Sequence, residues 1–283
     1  FLFWCKFWLY HKELDLFCKF TKNSAITKML LKFLGTGTSQ GIPVIGSRHP
    51  VCLSENPKDK RLRTSAIITT DSGKKILIDC GPDFRQQMLT NKEENVDAVL
   101  VTHEHNDHII GLDDLRPLIF KNKESMPIYC NARVAKEIKH RFPYAFIEHK
   151  YPGAPSFDLF KIDGTFRLFN EIDVTPIDII HSEIDILGFK FKNLAYITDA
   201  SKIEESEKEK LKNLEVFIIN CLRKTEPHHS HFILPQVLEL VQELKPKKTY
   251  LIHISHHLGF HDEVETELPD NVHLAYDGLE IEF

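Results

Sequence analysis

Three observations predict an α/β domain. Short apolar, β-branched runs alternate with turn residues and a few helical patterns, both halves of the chain run strands first and helices after, and 283 residues suffice for one large domain with a substantial core. The first strand is expected at 30–34, Leu-Leu-Lys-Phe-Leu, and the next two at 64–70 and 75–79, rich in Ile and Leu. A helix follows at about 82–91, then a strand at 96–102, a helix at 112–121, a strand at 127–130 and a helix at 131–141. The second half repeats the order with strands at 173–180, 187–191, 194–198 and 216–220, a helix at 204–212, a helix at 233–244, and strands at 249–254 and 272–276. The 233–244 helix puts Leu234, Val237, Leu238, Val241 and Leu244 on one face. Residues 150–156, Lys-Tyr-Pro-Gly-Ala-Pro-Ser, read as a loop, either a flap over a site or an ordinary connection.

A net charge of -5 with interspersed Lys and Glu provides no broad basic field for nucleic acid, so a small anionic substrate would have to be drawn in by a local site. Six cysteines at 5, 18, 52, 80, 130 and 221 form no CxxC pair, which suggests reduced thiols and a cytoplasmic location. The apolar start, Phe1 to Tyr10, is too short to span a bilayer and lacks a signal-peptide pattern, so no membrane partner is expected. Met29 directly precedes the first strand, and residues 1–28 are expected to be a non-native or upstream-translated extension of a domain at 29–283.

Function begins at Thr102-His103-Glu104-His105-Asn106-Asp107-His108, directly after the apolar run Val96 to Val101. Imidazole nitrogen and carboxylate oxygen suit divalent ions such as zinc or manganese, and only a loop can fold ligands this closely spaced around one or two of them. His181, Asp199 and His253 recur where strand patterns end, the places from which a scaffold can aim distant side chains at one point. Seven candidate ligands exceed one tetrahedral ion but suit two that share a bridging carboxylate and water.

HxHxDH followed by a spaced His, Asp and His resembles the metallo-β-lactamase fold superfamily. The resemblance implies an αββα four-layer sandwich with its metal site at one edge of two facing sheets. It further implies that His103, His105 and His181 hold one ion, that Asp107, His108 and His253 hold the other, and that Asp199 bridges them. Asp79, in Ile76-Leu77-Ile78-Asp79-Cys80-Gly81, matches the residue that orients a ligand imidazole, or it is simply a strand-ending turn residue. Three further runs, Gly35 to Pro43, Lys60 to Ser65 and Gly111 to Pro117, together look like PhnP-type phosphodiesterases, with PqqB-type proteins more distant; the similarity covers residues 29 to 283. PhnP-type proteins commonly carry three cysteines after the glycine run that, with a late histidine, hold a separate structural zinc. Here Ser47, His49 and Cys52 stand there, with His256 as the late histidine, and the weaker donor set favours no zinc.

Phosphodiester hydrolysis needs a nucleophile, charge compensation and a proton for the leaving alkoxide. Two ions supply the first two, and Asp107 can align the attacking water. The proton donor must be a non-ligand group, which points to histidine. Among Glu226 to Phe232, the position of His231 before the helix resembles the catalytic histidine of related phosphodiesterases, and His228 is the second choice; a polar surface loop is the alternative. Arg63 and Arg116 either bind an anionic part of the substrate or pair with nearby acids. The reading is therefore a dinuclear zinc or manganese phosphodiesterase acting on a small cyclic or nucleotide-like phosphate ester, and a homodimer is compatible with it. Its alternatives are a tRNA 3′-processing-type nuclease, disfavoured by the missing basic arm, and a non-hydrolytic PqqB-like metal protein.

Overall fold

The structure, a computed structural model, describes residues 29–149 and 151–283, and the expectation for residues 1–28 lies outside them. Among the described residues, fourteen strands form two seven-stranded sheets. The first contains β1 (Leu30–Gly35), β2 (Ser65–Thr69), β3 (Lys75–Ile78), β4 (Ala98–Leu100), β5 (Met126–Cys130), β6 (Phe157–Lys161) and β14 (Glu280–Glu282), in the order β14-β1-β2-β3-β4-β5-β6. The second contains β7 (Phe166–Leu168), β8 (Ile172–His181), β9 (Ile184–Phe191), β10 (Leu194–Tyr196), β11 (Val216–Asn220), β12 (Lys248–Ile252) and β13 (Val272–Leu274), in the order β13-β12-β11-β10-β9-β8-β7. Each sheet is antiparallel in one half and parallel in the other: pairing switches at β3 in the first and at β10 in the second. The likeness of the two halves of the sequence is this repeated plan.

Alternation along the strands sorts the apolar residues into layers. Ile76 and Ile78 of β3, with Val216 and Ile218 of β11, face the layer between the sheets beside Phe33, Phe189, Phe191 and Tyr196. Their neighbour Leu77 instead joins Phe84, Val134 and Ile138 under α1 (Phe84–Asn91) and α4 (Ala132–Arg141). Phe217 and Ile219 pack with Val237, Val241 and Val264 under α6 (Leu234–Leu244) and α7 (His261–Glu267). Three apolar layers separate four layers of secondary structure, the αββα sandwich.

Several elements depart from expectation. The strand expected at 96–102 ends at Leu100, so Thr102, which opens the metal-type motif, lies in open loop. The helix expected at 112–121 is a 3₁₀ turn, Ile110–Leu115, followed by α3 (Arg116–Asn122), with Pro117 in its first turn, where a missing N–H does no harm. The helix expected at 204–212 is α5 (Glu205–Lys208) running into a 3₁₀ turn at Glu209–Leu211. Strands β6, β7 and β14 are unexpected; all three lie at sheet edges, where exposure leaves little hydrophobic alternation to read. Of the expected 150–156 loop, residues 151–156 are a turn-rich connection into β6 with Ala154 buried, and residue 150 lies outside the described residues. Among the described residues no helix is long and apolar enough to cross a membrane.

Candidate metal centre

Five strands of the two sheets end at one edge and deliver the candidate ligands. Asp79 follows β3, the 101–105 loop follows β4, α2 (Asn106–Ile109) carries Asp107 and His108, His181 is the last residue of β8, Asp199 lies just past β10, and His253 just past β12. Asp79, Asp199 and His253 have φ of 60°, 58° and 53°, a left-handed backbone that non-glycine residues seldom adopt. Strain of this kind concentrates at functional sites. Gly81 and Gly111 let two loops meet: Cys80 N donates to His108 O at 2.7 Å, and Gly111 N donates to Cys80 O at 2.9 Å. A Cβ on Gly81 would overlap the carbonyl of Asp107, and one on Gly111 the carbonyl of Gly81.

The donor atoms converge in groups. One nitrogen from each of His103, His105 and His181 lies within 4.8 Å of the others, and the same holds for Asp107, His108, Asp199 and His253. Asp199 joins these groups, since His181, Asp199 and His231 form a third set within the same limit.

Outer hydrogen bonds fix which imidazole nitrogen faces inward. Asp79 accepts from Thr102 N and Thr102 Oγ1, both at 2.8 Å, and from His108 Nδ1 at 2.7 Å. That leaves His108 Nε2 facing Asp107 Oδ2 at 3.1 Å and Asp199 Oδ2 at 3.3 Å. Thr102 Oγ1, already donating to Asp79, accepts from His103 Nδ1 at 2.9 Å, so His103 Nε2 faces His105 Nδ1 at 3.0 Å. His181 Nδ1 donates to Ser230 O at 2.8 Å, and His253 Nε2 donates to Thr38 Oγ1 at 3.2 Å. These tautomers are assigned from the hydrogen-bond network. Four imidazoles are thus held by their outer nitrogen, an arrangement that orients metal-ligating histidines. His108 Nε2 and His253 Nδ1 are buried without a hydrogen-bond partner, which is costly unless something electron-poor sits between them. This donor set and these two inward-facing ring nitrogens fit divalent cations.

Charge follows the same logic. Burial pushes His103 far below the ordinary histidine range, with His108 adding to the shift. Burial also takes His253 down to about 4 and lowers His181. Burial disfavours a charged His108, yet Asp107, Asp199 and Asp79 outweigh it and hold the ring well above its usual pKa. Burial likewise opposes ionised Asp199, but His253 and His108 keep its carboxyl well below the usual range. Negative charge thus accumulates where cations would bind.

His231 sits at the mouth of the site. Its Nε2 is 3.1 Å from Asp199 Oδ1, and its ring stacks on His253 with centroids 4.9 Å apart. Its Nδ1 is 2.9 Å from Ser230 Oγ and 3.2 Å from His228 Nδ1. Burial, then His231, lowers His228 to about 4. Arg223 braces this loop by donating to the carbonyls of Glu226 and Pro227, each at 2.7 Å.

Other candidates stand apart. Arg63 pairs with Asp83 at 2.9 Å and donates to Ser39 O, while Arg116 pairs with Asp113 at 2.5 Å, so both guanidinium groups have acidic partners. His49 Nδ1 accepts from Val51 N, and Cys52 Sγ accepts from Val44 N, while the ring of His256 lies 4.9 Å from that of His49. Among the described residues His49, Cys52 and His256 do not converge as a ligand set. Thr38, Thr102 and Ser230 were not singled out in the sequence. Only their adjacency to the glycine run, to His103 and to His231 offered a signal.

The family described as the Beta-lactamase superfamily domain matches residues 74–254. A solved diphosphatase from the PhnP family is 38% identical, with 90% of this chain and 97% of that chain covered at a TM-score of 0.84. Zn²⁺-bound PqqB from Methylobacterium extorquens shares the fold at 16% identity, covering 90% of this chain and 100% of that one at a TM-score of 0.74. Among curated relatives, an octanoyltransferase of Porphyromonas gingivalis is 42% identical over 87% of this chain and 50% of its own length. The exodeoxyribonuclease YycJ of Bacillus anthracis is 27% identical over 54% of this chain and 56% of its own length. The chain spans about half the length of these curated relatives, so their activities are not carried to it. Matched by the family over more than half its length, and aligned with nearly all of the PhnP-family diphosphatase, the chain belongs to the beta-lactamase superfamily, in its PhnP branch.

Proposed function

We propose that the chain is a dinuclear metal-dependent phosphodiesterase acting on a small cyclic or nucleotide-like phosphate ester. The observation that carries this reading is the convergence of seven donors in two groups joined at Asp199, with the inward-facing ring nitrogens fixed from outside. His103, His105 and His181 would hold one zinc or manganese ion, Asp107, His108 and His253 the second, with Asp199 between them. Ions held there would clamp the phosphate and lower the pKa of a water.

The chain's own groups do the rest. Asp107, on the exposed side of its group, accepts a hydrogen bond from the attacking water and aligns it. His231 carries a proton on Nε2, held toward Asp199, and gives it to the leaving oxygen at the site mouth. His228 and Ser230 fix the direction of that ring from its Nδ1 side. The diphosphatase activity named for the PhnP-family relative supports phosphorus–oxygen cleavage as the reaction class. The buried free thiols of Cys52, Cys80, Cys130 and Cys221 accord with a reducing, cytoplasmic setting.

The test is hydrolysis of bis-p-nitrophenyl phosphate and of a ribosyl 1,2-cyclic phosphate by metal-reconstituted protein. The reading expects turnover of at least one, with His231→Ala keeping its ions but losing about 10²-fold or more in rate, the scale of general acid catalysis. No hydrolysis of either ester with two ions bound would overturn it. The exodeoxyribonuclease relative favours a second reading, nuclease action. Faster cleavage of single-stranded DNA than of either small ester would select it, although the net charge of -5 argues otherwise.

A further inference from the structure

The three-histidine group is assembled across two sheets. His103 and His105 leave the first sheet after β4, whereas His181 ends β8 of the second. Among the described residues, two hydrogen-bonded connections span that gap beside them. One is a backbone bond, Leu187 N to Thr102 O at 3.1 Å. The other is a single side chain, Arg133, on the first turn of α4. Its Nη1 donates to Glu104 Oε1 at 2.7 Å, and its Nη2 donates to the carbonyl oxygen of Asp185 at 2.6 Å.

Both ends of this bridge lie next to ligands. Glu104 stands between His103 and His105 in the chain, and Asp185 pairs with Ile180, the residue before His181, in the β8–β9 hairpin. Helix α4 is fastened to the first sheet by buried Val134 and Ile138, so the guanidinium projects from a fixed base. The planar fork of Arg makes two bonds in fixed relation, which a Lys cannot reproduce. Glu104 is mostly buried, and its second oxygen, Oε2, has no hydrogen-bond partner, so Arg133 is the group that neutralises it.

We propose that Arg133 is a positioning residue that sets the separation of the His103/His105 loop from His181, and thereby the affinity of the three-histidine site for its ion. The inference rests on the two-ion reading above. The pair is open to water at its Arg133 end, which is 37% exposed against 14% for Glu104, so water can take the place of the guanidinium at Glu104 Oε1 and the loss should fall on one metal site more than on folding.

The experiment uses the full chain with Arg133→Met and Arg133→Lys, titrated with Zn²⁺ against a chromophoric chelator, together with melting of the metal-free proteins. The unsubstituted chain is expected to hold two tight ions. In R133M one should weaken by about 10–100-fold, the usual effect of losing a group that orients ligands, while the other is unchanged. R133K, able to keep one of the two bonds, should fall between. Metal-free melting temperatures should stay within a few degrees of each other. Parent-like affinity at both sites, equal weakening at both, or a large drop in the metal-free melting temperature of R133K would overturn the positioning role while leaving the two-ion reading intact. If R133M does not fold, R133K is judged by the same criteria. Fewer than two tight ions in the unsubstituted chain would overturn both readings together.

Discussion

Replacing Gly81 by Ala should damage the site far more than the fold. Gly81 directly follows Cys80, whose N–H donates to His108 O and whose carbonyl accepts from Gly111 N, so its backbone is held close against the metal-type motif. A methyl there would come to 3.0 Å from the carbonyl carbon of Asp107 and deeper still into its oxygen. Nonbonded heavy atoms settle at about 3.5 Å, and that Cβ would lie 2.1 Å from the Asp107 carbonyl oxygen, so the 106–108 turn would have to retreat by more than about 1 Å. Such overpacking costs about 1–3 kcal/mol, which lowers the melting temperature by a few degrees to about 10 °C in a domain of this size. A displacement of about 1 Å at reacting groups can reduce the rate by about 10²-fold. Because Asp107 and His108 belong to one donor group and His103, His105 and His181 to the other, the ion lost should be the one at Asp107 and His108. Thermal melting, bound zinc per chain and the rate on bis-p-nitrophenyl phosphate measure all three effects. G81A protein with two ions and the rate of the unsubstituted chain would refute the claim that this close approach positions the site.

Asp79→Asn exchanges an acceptor oxygen for a donor facing Thr102 or His108, so His108 loses the bond that fixes its tautomer. The ion at His108 should weaken by about 10–100-fold with the fold retained, and unchanged affinity in a zinc titration would contradict this. His108 is held well above the ordinary histidine pKa by Asp107, Asp199 and Asp79, against the effect of burial, so at pH 7 the metal-free protein carries a proton that a bound cation must displace. Calorimetry in two buffers of different ionisation enthalpy should show release of about one proton per chain on loading, and none would contradict the assignment. In the metal-free chain, the stability contributed by charged His108 is present below the unfolded histidine pKa and lost as pH rises through the raised folded value. The gain in melting temperature on adding metal should therefore grow as pH rises above about 6.5.

What could be read in the sequence was set by how strongly each residue's environment constrains its type. Central strands such as β3 and β11 are buried on both faces, so Ile76 to Ile78 and Val216 to Asn220 are easily recognised. The edge strands β6, β7 and β14 carry Asp, Lys, Arg and Glu on exposed positions and blend with loops. All seven proposed ligands could be named because imidazole and carboxylate at strand ends are chemically distinctive. Thr38, Thr102 and Ser230 could not, since a hydroxyl or a backbone carbonyl that holds a ring has no compositional signature. The left-handed turn at His253 was hidden inside an expected strand that stops at Ile252. Arg133 reads as one more solvated helix charge until Glu104, 29 residues earlier, is seen to lie 2.7 Å away.

The most direct test of the account is the count and coupling of metal ions. Metal-free protein reconstituted with Mn²⁺ should bind two ions per chain and display the exchange-coupled electron paramagnetic resonance spectrum of a bridged pair. Asp199→Ala should abolish that coupling. A single ion per chain, two magnetically isolated ions, or a coupled pair that survives in D199A would contradict a two-ion centre joined at Asp199.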